Sequence, residues 1–393
     1  MTFIEQDMRA ERLGGLPRYL FEHLAETRRR KEAEGSEVID LSIGDPEMGA
    51  PETVVEALKV HAGDRRLHRY TPHDVVMQFN RAVSKWMAGR FGVMLDPETE
   101  ILPLIGTKEG IANLPLAVLN PGEVALVPDP GYPVYSRGVW FAGGKVEWMP
   151  LEEASGFLGD TGRILDLCPR MVYANYPNNP TSAVAGPEYF AGLIDAARKA
   201  GSIAVNDAAY SETVFDGYRS DSMLAVPGAM DMAVEFHSFS KTFSMAGWRV
   251  GFVAGARSVV QALRTYKSNI DSGVFGPVLL AAVEALESGW DWCRKTLEVY
   301  AGRRRILLDA LDKAGIGYHH SPATLYIWAR VPSHMGSIDF ARALLEKSGI
   351  LVAPGIGFGD CGEGYFRLSI TCPTARVEEA GRRLSEAGDK WTA

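Results

Sequence analysis

Ser238-Phe239-Ser240-Lys241-Thr242-Phe243-Ser244-Met245-Ala246-Gly247-Trp248-Arg249 is the stretch on which the reading of this chain turns. The apolar run Ala233–Phe236 reads as a buried strand that delivers it, and Val250–Ala254 as a second strand that leaves it. Between them stand hydroxyls, one lysine and one arginine among small and aromatic residues. Partial burial lowers an amine pKa, so a lysine placed there can condense with an aldehyde. Ser238, Ser240 and Arg249 can all donate to a phosphate. An amine beside a phosphate cradle is what pyridoxal phosphate requires. Taken alone, the same twelve residues also read as an ordinary strand–loop–strand with a solvated lysine, so the rest of the chain has to decide.

Outward from that stretch the chain repeats strand, polar loop and helix. Candidate strands are Ile101–Ile105, Val124–Val127, Val146–Met149, Met171–Ala174, Ile203–Val205, Val234–Phe236 and Val250–Val253. Most are short continuous apolar runs, the pattern of strands covered by helices on both faces. Pro187–Lys199 has helical spacing, and Pro51 suits a first helical turn. These features predict a doubly wound, mostly parallel α/β sheet domain. After Gly276 a long helical region runs to Lys313. Strand candidates Leu325–Ala329, Ile350–Val352 and Tyr365–Ile370 follow, with Asp339–Lys347 as a helix among them, giving a smaller α+β domain. Upstream, residues 16–34 read as a helix and Val38–Ile43 as a short strand ending in the turn Gly44-Asp45-Pro46. The expected division is 1–45 as an arm and helix packing with the small domain, 46–285 as the large domain, and 286–393 as the small one.

The 393 residues are 46% hydrophobic and 23% charged, which is the composition of a globular protein. A formal net charge of -8 argues against nucleic-acid binding, which needs a basic footprint. Four scattered cysteines without a C-x-x-C pair fit a reducing cytoplasm and no zinc site. The charged first twelve residues lack the apolar core of a secretory signal, and no apolar run is long enough to span a bilayer.

Polar residues cluster where the strands end, the place where open α/β sheets bind ligands. Gly106-Thr107-Lys108 follows the first strand and opens a helix, where free N–H groups can meet an anion; Lys108 reads equally as plainly solvated. Asp129-Pro130-Gly131-Tyr132-Pro133 fixes the orientation of Tyr132. Asn175-Tyr176-Pro177-Asn178-Asn179-Pro180-Thr181 is a costly way to build a plain connection. Asp207 ends another strand, where a carboxylate is either paired or caps the next turn. Arg367 sits inside an apolar strand pattern, and its guanidinium calls for a carboxylate partner.

SFSKTFSMAGWRVG resembles the Schiff-base signature of the class I/II, fold-type I aminotransferases, and the resemblance runs in register over nearly the whole chain. It implies a pyridoxal-phosphate enzyme that moves an amino group between an amino acid and a 2-oxo acid. In the positions that match, Lys241 carries the cofactor, and Gly106, Thr107, Lys108, Ser238, Ser240 and Arg249 hold its phosphate. Tyr132 stacks on the ring, Asn179 and Tyr210 bond its phenolic oxygen, and Asp207 keeps its nitrogen protonated. Tyr70 reaches the phosphate of a neighbouring subunit, which implies a homodimer with shared sites. Ser182 stands where the family's N-P-T-G element has glycine. LPLIGTKEGIANLPLAVLNPGEVALVPDPGYPVY (102–135), DAAYSETVFDGY (207–218), KSNIDSGVF (267–275) and PGIGFG (354–359) are similar to the LL-diaminopimelate aminotransferase branch. Its substrate contacts correspond to Tyr19, Gly44, Lys108, Tyr132, Asn179, Asn269 and Arg367, with Arg367 on the α-carboxylate.

The stretch Thr71–Met77 departs from that branch, which leaves other amino donors open: aspartate, glutamate, alanine, aromatic amino acids or N-succinyl-diaminopimelate. A lyase or oxidase on the same fold uses the same lysine, and the form in which the cofactor ends separates it from a transaminase. A ligand-sensing module of a transcription regulator needs an attached DNA-binding domain, for which the short arm before Val38 leaves no room.

Overall fold

The computed structural model describes residues 20–386 together with Ala10 and Leu13. Its largest sheet has seven strands: β2 (Ile101–Leu104), β3 (Val124–Asp129), β4 (Lys145–Pro150), β5 (Met171–Ala174), β6 (Ile203–Asp207), β7 (Ala233–Ser238) and β8 (Gly251–Gly255). β1 (Ile39–Asp40) belongs to a separate pair. The order across the large sheet is β2-β8-β7-β6-β5-β3-β4. β8 runs antiparallel to both of its neighbours, and the remaining pairs are parallel. All seven sequence-expected strands are present.

The continuous apolar runs have a direct cause. Along β5, Val172 and Ala174 enter one core while Met171 and Tyr173 enter the other. Both faces are therefore buried, so no polar alternation survives. Helices cover each face. Pro187–Ala200 starts with proline at its first turn and stops at Gly201, whose φ of 69° ends it in the left-handed region.

A second cluster gathers Ile39 and Leu41 with Leu307, Leu311, Ile327, Phe340, Phe366 and Val377. It surrounds an antiparallel sheet of β9 (Tyr326–Arg330), β11 (Ala353–Pro354) and β12 (Tyr365–Ser369), in the order β11-β12-β9. β1 pairs in parallel with β10 (Ile350–Leu351), which ties the segment before Gly44 to this cluster.

Several expectations change in detail. The strand expected over Val38–Ile43 shrinks to two paired residues. The helical region after Gly276 is two helices, Gly276–Ser288 and Trp290–Lys313, broken at Gly289. A Cβ on Gly289 would lie 2.6 Å from the Ala285 carbonyl and 2.9 Å from the Phe243 ring. The unusual stretch Thr71–Met77 is a loop only to Pro72. From His73 it is the first turn of helix His73–Phe91, with Val75 and Met77 buried.

Candidate active site

The carboxyl ends of β2, β3, β5, β6 and β7 and the start of β8 all lie on one edge of the sheet. β8 runs the other way, so Arg249, which precedes it, arrives beside the helix that follows β2. Gly106 has φ 75° and ψ 152°, a conformation open essentially to glycine alone. A Cβ there would lie 2.2 Å from Arg249 Nη2. Arg249 is itself left-handed, with φ 55°, and its Nη1 donates to the Ala246 carbonyl at 2.8 Å. Gly251 lets the opening of helix Thr107–Val118 approach closely, since its Cβ would sit 3.2 Å from the Thr107 nitrogen. Ser238 pairs with Gly251 across the sheet, and its Oγ accepts from the Ser240 N–H at 3.1 Å. Gly106, Thr107, Ser238, Ser240 and Arg249 thus form one corner, rich in N–H and O–H donors. Lys108 is exposed on the same helical turn.

Lys241 lies one turn past that corner in the short helix Phe239–Thr242. Its Nζ donates to the Gly44 carbonyl at 2.5 Å. Gly44 must be glycine, because a Cβ would overlap the Tyr326 hydroxyl at 2.1 Å. The Tyr326 hydroxyl is 2.9 Å from that of Tyr210. Burial would push both phenols up. At Tyr326 the cations of Arg367 and Lys241 outweigh burial and hold the group below its usual value, whereas Tyr210 stays well above it.

Arg367 is 1% exposed. Its Nη1 donates to Asn179 Oδ1 at 2.5 Å and its Nη2 to the Ser42 carbonyl at 2.7 Å. Its guanidinium carbon lies 3.9 Å over the Tyr326 ring. Asn175 fixes the loop beneath: its Oδ1 accepts from the Asn179 N–H, and its Nδ2 donates to the Asp207 carbonyl at 2.6 Å. Ser182 does adopt the conformation that glycine would take, with φ 63°. Its hydroxyl meets Thr324 Oγ1 at 2.6 Å and donates to the Tyr326 carbonyl at 3.0 Å, which offsets the backbone strain.

Asp207 ends β6 and is buried. One carboxylate oxygen accepts the Tyr135 hydroxyl at 2.8 Å, and the other accepts the Ala209 N–H at 3.2 Å. Burial pushes its carboxyl up to about 6, against the pull of Tyr135, Ala209 and His237. A carboxylate held this far from water is primed for a cation. Tyr135 stacks on Tyr173 at 5.0 Å and meets Tyr132 edge-on at 5.9 Å. Tyr132 also lines a cleft of about 1350 Å³ between helices Leu20–Ala33, Val134–Phe141 and Ser337–Ser348.

The structure therefore brings together Gly44, Gly106, Thr107, Tyr132, Asn179, Asp207, Tyr210, Ser238, Ser240, Lys241, Arg249 and Arg367. Tyr70 is 83% exposed, and Asn269 is exposed with its side chain bonded back to the Thr265 carbonyl. Neither has a bond to the cluster among those of the described residues. Tyr19 lies outside the described residues. Sequence reasoning missed Asn175, Tyr135 and Tyr326: the first two stood in quoted stretches and the third inside the strand candidate Leu325–Ala329, and none was given a role. Among the described residues no group of three or more His, Cys, Asp or Glu could hold a metal ion.

The pattern of aminotransferase class I and II matches residues 36–384. An LL-diaminopimelate aminotransferase of Desulforudis audaxviator is 46% identical over 387 residues, covering 98% of each chain. One of Natranaerobius thermophilus is 44% identical over 384 residues, covering 96% of this chain and 98% of that one. A solved structure, a probable N-succinyldiaminopimelate aminotransferase from Thermus thermophilus, superposes with a TM-score of 0.88 at 34% identity, covering 94% of this chain and 100% of the other. A reactive amine, an anion corner and a buried carboxylate on one sheet edge fit the aldehyde, phosphate and ring nitrogen of pyridoxal phosphate. With sequence pattern, relatives and donor set in agreement, the chain belongs to the aminotransferase class I and II family and is a pyridoxal-phosphate-dependent aminotransferase.

Proposed function

We propose that the enzyme transfers an amino group from LL-diaminopimelate to 2-oxoglutarate, a step toward lysine. The observation that carries this is the match to LL-diaminopimelate aminotransferases at 44–46% identity along 96–98% of the chain. The buried Arg367 supports it, since its guanidinium and Lys241 both act on Tyr326 and a guanidinium suits a substrate carboxylate.

Pyridoxal phosphate supplies an aldehyde that exchanges amines and a ring that withdraws electrons from the substrate Cα. Lys241 would hold the cofactor through its amine and, when free, would move the proton at the substrate Cα. Its Nζ donates to the Gly44 carbonyl, which would anchor the amine when it is free. Asp207 would hold a proton at the ring nitrogen, and Tyr132 would pack against the ring. Asn179 and Tyr210 would donate to the phenolic oxygen, while Gly106, Thr107, Lys108, Ser238, Ser240 and Arg249 would hold the phosphate. Arg367, Asn179 and the Gly44 backbone orient the α-carboxylate. Lys108, Asn269 and Tyr19 serve the far end of the substrate.

Tyr70, Ile270 and Phe275 are exposed on two loops joined by the Thr71 hydroxyl, which donates to the Val274 carbonyl at 2.6 Å. This supports a homodimer in which Tyr70 completes the partner's phosphate site. We assign residues 46–285 to the cofactor domain, 286–393 to the small domain and 1–45 to an arm and helix packing with the latter. The four unpaired cysteines support a cytoplasmic enzyme.

A panel of amino donors with 2-oxoglutarate tests the substrate. LL-diaminopimelate should rank first. Asn269→Ala should cost it about tenfold in kcat/KM, the worth of one hydrogen bond to a charged group, with little effect on alanine or glutamate. Arg367→Ala should impair every donor. A panel led by N-succinyl-diaminopimelate or aspartate would replace the substrate and leave the transamination intact.

A further inference from the structure

Lys267 ends helix Arg257–Lys267 and is 5% exposed, rare burial for a lysine. Its ammonium donates to Glu109 Oε2 at 3.2 Å and to Asp271 Oδ2 at 2.6 Å. Both carboxylates are themselves anchored. Glu109 lies in the first turn of helix Thr107–Val118, where it accepts from the Ile105 N–H at 3.2 Å and from Asn113 Nδ2 at 2.8 Å. The Ile105 carbonyl in turn accepts from Arg249 Nη2 at 3.4 Å. Asp271 caps its own turn by accepting from the Gly273 N–H at 2.7 Å. The Lys267 carbonyl receives the N–H groups of Ile270 and Asp271 at 2.9 and 3.0 Å. One residue therefore brackets the turn carrying Asn269 from both its backbone and its side chain. It ties that turn to the helix end and arginine of the phosphate corner.

We infer that Lys267 is a positioning residue: through Glu109 and Asp271 it holds the Ser268–Val274 loop in register with the phosphate corner, and so fixes Asn269 for substrate recognition. This rests on the proposed substrate role of Asn269. The physical reason is local. The turn is exposed and carries Gly273 at φ 86°, so without a clamp its few bonds would open readily. Without the ammonium, Glu109 and Asp271 would face each other as like charges and drive the loop outward.

The test compares the holoenzyme with Lys267→Met, Lys267→Arg, Asp271→Asn and Asn269→Ala. Asp271→Asn guards against loss of folding, because it keeps the Lys267–Glu109 pair and an oxygen for Gly273. Amide hydrogen exchange over residues 268–274 should quicken by about tenfold in Lys267→Met and Asp271→Asn. The KM for LL-diaminopimelate should rise about tenfold in both, with kcat within about twofold of wild type. Lys267→Arg should restore both readouts. Asn269→Ala should raise KM equally while quickening exchange less, since it removes only the bond to the Thr265 carbonyl. Wild-type exchange rates in Asp271→Asn and Lys267→Met overturn the clamp, as does an unchanged KM in them when Asn269→Ala raises it. If Asn269→Ala leaves KM unchanged, the substrate role of Asn269 falls instead, and exchange alone then decides whether Lys267 holds the loop.

Discussion

Asp207 carries an energetic conflict that its setting makes measurable. Its folded carboxyl is raised to about 6 from an ordinary value of 3.8. The folded apoprotein therefore holds that proton more tightly than the unfolded chain. Its stability falls as pH rises from 3.8 to about 6, and above that window the cost reaches about 3 kcal/mol. Asp207→Asn removes the charge, so the apoprotein variant should melt higher than wild type above pH 6 and converge with it near pH 4. Thermal melts across that range check this, and a constant difference would show that the carboxyl does not titrate there. With cofactor bound, the order should reverse in function, with turnover falling by about 100-fold or more once the ring nitrogen loses its counter-charge. Near-wild-type turnover would reduce Asp207 to a turn cap, a role its bond to Ala209 already allows. Asp207 was legible in part: a carboxylate closing an apolar run is either paired or a turn cap, and only the resemblance around Lys241 and Arg249 pointed to the pairing. Tyr135 was not, since a tyrosine in an apolar helix gives no sign that its hydroxyl meets a carboxylate 72 residues away.

The turn from β7 through Lys241 to β8 sets the corner proposed to hold the phosphate. It contains only short helical pieces, Phe239–Thr242 and Ala246–Trp248, too little for the crossover that a parallel neighbour requires. The chain must therefore double back, and Arg249 comes to lie against Gly106. In the sequence thirteen residues, 237–249, separate the two strand candidates, a length that permits either connection, and an apolar run carries no sign of direction. β11 was illegible for another reason: two residues, one a proline, leave no periodicity to read. Gly106→Ala tests this corner. The new methyl would force Arg249 aside and hold a non-glycine residue in a region that costs about 1–3 kcal/mol. The folded apoprotein should bind pyridoxal phosphate about tenfold or more weakly in a fluorescence titration, and unchanged affinity would remove Gly106 and Arg249 from the phosphate site. Beneath the turn, Glu235 is fully buried on β7. Burial would raise its carboxyl, but His237, Ser222 and Asn206 hold it below the usual range. It therefore favours folding above its ordinary pKa, and that support fades as pH falls through the lowered folded value.

At the scale of the whole molecule, the question is which chain completes which site. The cluster around Lys241 draws on β1, on the large sheet and on β12, so one chain brings most of it together. Tyr70 stands apart, exposed like the less exposed Ile270 and Phe275. An aromatic at 83% exposure on a chain that buries Tyr135, Tyr173, Tyr176, Tyr210, Tyr300 and Tyr326 suits a surface that a second copy covers. If Tyr70 completes the partner's site, two defective chains can repair each other. Lys241→Ala has no amine at its own site but offers an intact Tyr70. Tyr70→Ala keeps its lysine but offers nothing to its partner. In a hybrid dimer one site carries both defects, and the other combines a wild-type Lys241 with a wild-type Tyr70. Random reassociation of equal amounts makes about half of the dimers hybrid, each with one intact site of two. Activity should then recover to about a quarter of wild type, from parents that are each nearly inactive. If Tyr70 served its own chain, every site in the hybrid would keep one defect, and the mixture would show no more than the mean of its parents.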